Sequence, residues 1–191
     1  MRVLHFYRTY SQSYGGIEQV IRQLCLGSQQ FGIEPEVLVL SRDRSAGDEF
    51  IDGHRVIRAP MDFEIASTGF SRAVFARFRE RAAQADLIHY HFPWPFMDVV
   101  HFACAVPKMN KPTLVTYHSD IVRQKFLLQL YRPLMHRFLG SVDRIVASSP
   151  NYLASSSTLT RYRDKVSVIP YGLDSHGPAY PLPEAARLDA W

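Results

Sequence analysis

The residues with the clearest capacity for chemistry stand at the end of a short apolar run. Thr113–His118 is typical of a buried strand, and Asp120 follows two positions later. A histidine at the carboxyl end of a parallel strand lies in the crevice where ligands bind, and a nearby carboxylate can orient its ring or bind a hydroxyl group. A histidine that caps the next helix is the alternative. The place at a strand end favours a catalytic role for His118.

A second polar group ends the preceding apolar run, Leu87–Phe92. His89 and His91 share one face of this strand because side chains alternate. Two imidazoles can begin a metal site, but no third ligand stands at a suitable spacing, so packing or interstrand hydrogen bonding is favoured for His89. His91 and Trp94 are nearer the crevice. Trp94, between two prolines, could stack on a sugar ring or fill the turn.

Two adjacent glycines, Gly15 and Gly16, stand between the first strand and the first helix. They let a ligand approach the backbone, and the free N–H groups of the helix N-terminus suit an anion such as a diphosphate. A tight turn without a ligand is an equally good interpretation. The three-glycine dinucleotide pattern and the P-loop lysine are missing, which disfavours NAD and ATP sites.

These residues are positioned by an alternation of strands and helices. Apolar runs predict strands at Arg2–Tyr7, Glu36–Leu40, His54–Ala59, Leu87–Phe92, Thr113–His118, Arg144–Ser148 and Val166–Pro170. Helical spacing predicts helices at Ile17–Phe31, Ser71–Ala85 with Ser71 as N-cap, Phe96–Val106, Ile121–Val142 broken or kinked at Pro133, and Asn151–Leu159. Residues Ser41–Gly53 are predicted to form a loop. The alternation predicts an α/β fold with a mainly parallel sheet covered on both faces.

Composition limits the class of protein further. The 191 residues suit one domain, and 47% hydrophobic with 21% charged residues excludes a disordered or fibrous chain. Cys25 and Cys104 stand in apolar helical patterns and are predicted to be buried thiols, which rules out a disulfide scaffold. The apolar runs are too short for a membrane span, and the N-terminus enters a strand pattern rather than a signal peptide. A reducing, cytoplasmic setting is expected.

The formal net charge of +4 is unevenly distributed, because residues 71–144 hold eleven basic and five acidic side chains, a net of +6. The predicted helix at 71–85 has an apolar arc flanked by Arg72, Arg77, Arg79 and Arg81, and the predicted helix at 121–142 adds Arg123 and Lys125 without an acidic residue. Such helices suit an anionic lipid surface, and a helix packed on the sheet with a solvated basic rim is the equal alternative. A nucleic-acid partner is not expected, because no aromatic pattern accompanies these basic residues.

Four motifs follow one another in a specific order: MRVLHFYRTY with GGIEQVIRQL, Asp86–His91 ending in His-x-His, Thr113–Asp120, and Asp143–Ser149 followed by Val166–Asp174. Together they resemble the N-terminal domain of a retaining glycosyltransferase of the GT-B fold, in glycosyltransferase family 4. The opening is most similar to bacterial mannosyl- and rhamnosyltransferases of O-polysaccharide assembly. The resemblance implies a Rossmann-like three-layer sandwich over residues 1–174, with 175–191 as a linker or tail towards an absent C-terminal nucleotide-sugar-binding domain.

The resemblance also implies roles for the residues singled out above. Gly15 and Gly16 would face the donor diphosphate, and His118 would lie beside the reacting sugar as a positioning and electrostatic residue rather than a free general base. Asp120, His91 and Trp94 would line the acceptor side. The donor phosphate itself would help to deprotonate the acceptor hydroxyl. No cofactor or metal is expected, because no Asp-x-Asp motif occurs.

The sequence departs from the family in two ways. The Arg/Lys pair and the Glu-x7-Glu motif of the second domain are missing, and Tyr171 replaces the common Asn of an Asn-Gly-x-Asp motif. The first hypothesis is therefore the acceptor-binding half of a transferase that moves a hexose from a GDP- or UDP-sugar to a glycan or lipid-linked acceptor, at the cytoplasmic membrane face. Such a truncated chain or half-enzyme is expected to be inactive alone. The second hypothesis is a non-catalytic module that binds a membrane or partner and needs a second chain.

Overall fold

The computed structural model describes residues 1–10, 16–43, 46–121 and 125–172. It contains an eight-stranded, mainly parallel sheet and a separate two-stranded hairpin. The strands are β1 (Arg2–Phe6), β2 (Glu34–Ser41), β3 (Gly47–Ile51), β4 (His54–Pro60), β5 (Phe63–Ile65), β6 (Thr68–Phe70), β7 (Leu87–Phe92), β8 (Thr113–Tyr117), β9 (Arg144–Ala147) and β10 (Val166–Val168). The helices are α1 (Gly16–Gln29), α2 (Ala73–Gln84), α3 (Pro95–Ala103), α4 (Lys125–Ser141), α5 (Pro150–Ser155) and α6 (Ser157–Arg161), with 3₁₀ turns at Val106–Lys108 and Arg163–Lys165.

The main sheet has the order β10-β9-β8-β7-β1-β2-β4-β3, and only β3 pairs antiparallel with its neighbour. Helices cover both faces because the strands are apolar on both. On β2, Leu38 and Leu40 belong to the core shared with α2, α3 and α4, whereas Val37 and Val39 pack with α1. The predicted Rossmann-like three-layer sandwich is thereby confirmed.

The strand order reverses between β1 and β7. From β1 the chain proceeds outward through β2 and β4, and after α2 it returns to β7 and proceeds outward in the other direction to β10. In open α/β sheets such a switch point creates a crevice at the carboxyl ends of the strands. The functional site is therefore expected where β1, β7 and β8 end.

Two strand regions were not predicted. The expected loop at Ser41–Gly53 contains β3, an edge strand that is almost wholly exposed and has only two apolar residues, Phe50 and Ile51, at its end. The hairpin of β5 and β6 turns through Ala66 and Ser67 at φ of 50° and 60°, without the glycine that usually marks such a turn.

Two helix predictions need correction in detail. Helix α4 runs through Pro133 without the break that was one of the two expectations, and a kink at Pro133 stays a prediction. The single helix predicted at Asn151–Leu159 is two helices, since Ser156 ends α5 and caps α6 through its side chain. The Ser71 Oγ accepts a hydrogen bond from the Val74 N–H, as predicted for a cap of α2. Gly32, at φ of 71°, follows α1 and ends it as expected.

Within the described ranges, none of the helices combines the length and the apolar character that crossing a membrane requires. Both cysteines, Cys25 and Cys104, are buried free thiols, as predicted. The proposed linker at 175–191 lies outside the described residues.

Candidate functional site

Histidine side chains gather where the sheet order reverses. His5 of β1 is paired in register with His89 of β7, and His91 of β7 with Thr116 of β8. His118 follows β8 directly, and its backbone N–H donates to the carbonyl of Phe92 at 3.1 Å. Because the strands are parallel and adjacent, these residues share one face near the carboxyl ends of the strands.

The rings form a continuous series of hydrogen bonds. Nδ1 of His5 lies 3.1 Å from Nε2 of His91, and Nδ1 of His91 lies 3.1 Å from Nε2 of His118. Nδ1 of His118 in turn lies 2.6 Å from the hydroxyl of Tyr171, just beyond β10. We call His5, His91, His118 and Tyr171 the histidine chain. It leads from the interior of the sheet to the surface of the crevice.

Burial keeps the histidines of this chain neutral. Desolvation lowers the pKa of His5 to about 3 and that of His118 to about 4, and it also holds the pKa of His91 well below the ordinary value. Desolvation raises the pKa of Tyr171 to about 12, so its hydroxyl keeps its proton at neutral pH. The residues of the chain therefore act as hydrogen-bonding groups rather than as charges.

The sequence shows no third ligand near His89 and His91, but the fold brings the imidazole ring of His5 next to both of them. The ring nitrogens of His5, His89 and His91 lie within 4.8 Å of one another, a grouping that can hold a metal ion. However, the facing nitrogens of His5 and His91 already share a hydrogen bond, and Nε2 of His89 lies 2.7 Å from the Thr116 hydroxyl. The group includes no carboxylate in the described part of the chain that would offset a dication. We interpret it as a hydrogen-bonded cluster.

Asp120 lies beyond His118 and is half-buried. Its Oδ1 accepts hydrogen bonds from the Tyr117 hydroxyl at 2.8 Å and from the Ser156 hydroxyl at 2.9 Å. These bonds tie the segment after β8 to the start of α6. The carboxylate is thus fixed at the rim of the crevice, and its predicted role toward an acceptor remains a prediction.

The structure corrects the roles expected for Trp94 and His91. Trp94 is 1% exposed, and its indole N–H donates to the carbonyl of Gly69 at 3.2 Å, so it offers no face to a sugar. His91 is 0% exposed and lies behind His118. Neither side chain can line an acceptor site directly.

Of the two glycines, Gly16 begins α1, whereas Gly15 lies outside the described residues. A Cβ built on Gly16 meets no described atom within 4 Å, so packing within that part of the chain does not require glycine there. Contact with a diphosphate stays a prediction for both positions.

The arginines of α2 are mostly engaged within the protein, which corrects the expected basic surface. Arg77 reaches Asp48 of β3 at 3.3 Å, and Arg79 donates to the carbonyl of Ala103 at 3.2 Å. The Arg81 side chain is only 12% exposed and lies 3.8 Å from the carboxylate of Glu36 and 3.0 Å from that of Glu80. By contrast, the Arg72 side chain is 93% exposed and lies 3.6 Å from Asp62. Arg123 and the side chain of Lys125 lie outside the described residues.

An open, mainly parallel sheet with a polar crevice at its switch point defines a Rossmann-like domain, and comparison with known proteins identifies its family. A model of Glycosyltransferase Family 4 matches residues 14–176. The chain belongs to this family. It is 59% identical over 192 residues to a D-rhamnosyltransferase, WbpZ, of Pseudomonas aeruginosa, an alignment that covers 100% of this chain and 49% of the relative.

Two further proteins are similar. The O-antigen chain mannosyltransferase C of Escherichia coli is 53% identical over 177 residues, covering 92% of this chain and 47% of that protein. The crystal structure of Alr3699/HepE from Anabaena in complex with UDP has a TM-score of 0.62 at 14% identity, covering 91% of this chain and 45% of that one. The chain thus spans about half the length of the curated relatives it matches, which fits one half of a GT-B fold.

Proposed function

We propose that this chain is the acceptor-binding half of a retaining glycosyltransferase. The transferase moves a hexose from a GDP- or UDP-sugar to a glycan or lipid-linked acceptor. The observation that carries the proposal is the place of His118 at the crevice of a chain that is 59% identical to a D-rhamnosyltransferase along its whole length. The mannosyltransferase relative and a similarly folded protein solved with UDP support the same class of reaction.

In this reaction the bond between the anomeric carbon and the donor diphosphate breaks, and a bond to the acceptor oxygen forms on the same face of the sugar. The acceptor proton passes to the departing phosphate. His118 is half-buried at the crevice, and its Nδ1 reaches a hydroxyl group there. A sugar hydroxyl in that place would be held by the imidazole while the glycosidic bond breaks.

The diphosphate is assigned to the N-terminus of α1, where Gly15 and Gly16 would present backbone N–H groups to the developing negative charge. Asp120 is assigned to the acceptor side. The second half of the GT-B fold would supply the Arg/Lys pair and the Glu-x7-Glu motif. We propose that transfer needs no metal ion, because the sequence has no Asp-x-Asp motif and the clustered imidazoles bond to one another and to Thr116.

A cytoplasmic location on the membrane face forms part of the proposal. Two buried free thiols fit a reducing compartment. Arg72, which pairs with Asp62 just before the hairpin, is exposed, as are the hairpin residues Phe63 and Ile65. They offer a cation and apolar side chains to a lipid surface. Nucleic acid is not an expected partner.

A chimera tests the proposal directly. This chain replaces the corresponding half of the D-rhamnosyltransferase, and transfer of labelled sugar from GDP- and UDP-sugars to a lipid-linked acceptor is measured with and without a chelator. We expect transfer by the chimera, unaffected by the chelator, and none by the 191-residue chain alone. Failure of a folded chimera to transfer sugar from any donor would contradict the proposed function, and robust transfer by the chain alone would contradict its assignment as a half.

A further inference from the structure

Both ring nitrogens of two residues in the histidine chain are occupied. His91 bonds to His5 through Nε2 and to His118 through Nδ1, and His118 bonds to His91 through Nε2 and to Tyr171 through Nδ1. The distances of 3.1, 3.1 and 2.6 Å are those of direct hydrogen bonds. The outward nitrogen of His118 is therefore Nδ1, and the phenol of Tyr171 occupies it in this structure.

Such a chain has only two arrangements of its protons. A neutral imidazole carries one N–H donor and one acceptor nitrogen, so a ring that accepts on one side must donate on the other. Each of the three contacts contains a single proton. If Tyr171 donates to His118, then His118 donates to His91 and His91 donates to His5. If Tyr171 accepts, every bond reverses.

The chemistry of the end groups selects the first arrangement. A phenol, with an ordinary pKa near 10, is a far better proton donor than a neutral imidazole, whose unprotonated nitrogen is a good acceptor. The proton of the Tyr171 hydroxyl is then directed to His118.

We propose that the histidine chain fixes the tautomer of His118, with the proton on Nε2 and an unprotonated Nδ1 facing the crevice. Tyr171, His91 and His5 are positioning residues in this arrangement. An unprotonated Nδ1 accepts a hydrogen bond from a hydroxyl group, so a sugar hydroxyl would take the place of the Tyr171 hydroxyl. This last step rests on the proposed function, whereas the tautomer itself does not.

The same protein contains a second histidine–tyrosine pair, in which the hydrogen bond between ring and phenol has the opposite direction. Nδ1 of His136 lies 3.1 Å from the hydroxyl of Tyr162, but that hydroxyl donates to the backbone carbonyl of His136 at 2.8 Å. The phenol proton is therefore directed away from the ring, and Nδ1 of His136 must be the donor. This pair is an internal control, since it joins the same two side-chain types through the same ring atom.

Long-range proton–nitrogen NMR spectra of the 191-residue protein labelled with ¹⁵N-histidine, recorded near pH 8 where the imidazoles are neutral, test the tautomers. We expect His118 to be protonated at Nε2 and His136 at Nδ1. Tyr171→Phe should shift the ring signals of His118 and His91 together and leave those of His136 in place, and Tyr162→Phe should do the reverse. The assignment is overturned if Nδ1 of His118 is protonated in the unmodified protein, or if Tyr171→Phe leaves His118 and His91 unchanged.

The NMR result is independent of sugar transfer. An inactive chimera with the expected tautomers would contradict the proposed function and leave the histidine chain as assigned. An active chimera with the opposite tautomer of His118 would contradict the chain and leave the proposed function.

Discussion

Nδ1 of His91 lies 3.1 Å from Nε2 of His118, and the two rings stack at an interplanar angle of 23°. A fully buried ring on β7 thus holds, from behind, a half-buried ring at the end of β8. This arrangement fixes the direction in which His118 faces the crevice. The orientation of His118 depends on a fully buried ring, so the interior of one strand sets the position of a side chain at the end of the next.

The first prediction concerns His118 in the transfer-competent chimera. His118→Ala should lower kcat by roughly 10²–10³-fold, the usual loss when a group that stabilises developing charge is removed. The free energy of unfolding should fall by about 1–3 kcal/mol, because the ring makes two hydrogen bonds and its removal leaves Nδ1 of the buried His91 without its partner. Enzyme kinetics and urea unfolding give the two values.

His136→Ala is the matched control for that measurement. It removes a partly exposed ring of α4 that bonds to Tyr162, well outside the histidine chain. Its kcat should remain that of the unmodified chimera. Unchanged turnover in His118→Ala would remove His118 from the active site, and global unfolding would make its role structural.

The sequence predicts the buried strands of this protein better than its exposed strands. Strand β7 was predicted with its observed bounds because apolar residues dominate the short run Leu87–Phe92, which stands between Asp86 and the turn that begins at Pro93. Strand β3 was missed because Asp48 and Glu49 lie on an exposed edge, where hydrogen bonds to β4 define the strand and burial does not. Apolar patterns report burial, so they find inner strands and overlook edges.

The site shows the same division. The place of His118 followed from its position at a strand end, which the sequence reveals. The partnership of His5 with His91 joins residues 86 positions apart, and that of His118 with Tyr171 joins residues 53 apart. Only the strand order brings them together. Tyr171 departs from the family pattern, but its contact with His118 has no signal in the sequence.

The second prediction follows from the buried position of Trp94. Trp94→Ala should lower the free energy of unfolding by about 3–5 kcal/mol, since it removes a large core side chain and leaves a cavity. Trp94→Phe keeps much of the packing and should cost less, although the carbonyl of Gly69 loses its donor. Urea unfolding at neutral pH measures both. A loss below about 1 kcal/mol in Trp94→Ala would favour the exposed, sugar-stacking role.

The third prediction compares two arginines of the same helical region. Arg72→Ala should weaken binding to anionic vesicles by about 1 kcal/mol at low salt, because this side chain is 93% exposed and its 3.6 Å pairing with Asp62 leaves it accessible to lipid phosphates. Arg77→Ala should change it little, because Arg77 is already held by Asp48. Vesicle flotation measures both variants. Equal binding of the unmodified protein to neutral and anionic vesicles would contradict a lipid-facing role.

The last prediction is a loss of stability in weak acid. Desolvation by burial lowers the pKa of His5 to about 3 and holds the pKa values of His89 and His91 well below the ordinary value near 6.5. The unfolded chain regains ordinary histidine pKa values, so below pH 6.5 it binds protons that the folded chain excludes. The stability contributed by the neutral rings is therefore complete above about pH 6.5 and is lost as the pH falls toward the folded-state values.

Each such histidine should lower the free energy of unfolding by about 1.4 kcal/mol per pH unit below 6.5. Three of them together should lower the free energy of unfolding by roughly 6 kcal/mol at pH 5 and roughly 10 kcal/mol at pH 4, a large part of an ordinary stability of about 5–15 kcal/mol. Urea unfolding at pH 7.5, 6.5 and 5.5 measures the slope above the range in which ordinary carboxylates titrate. His89→Gln keeps a polar group near Thr116 without a titrating ring. It should reduce the dependence of the unfolding free energy on pH by about 1.4 kcal/mol per pH unit, the contribution of one proton. Equal stability at pH 7.5 and 5.5 would show that the rings are not held neutral by burial.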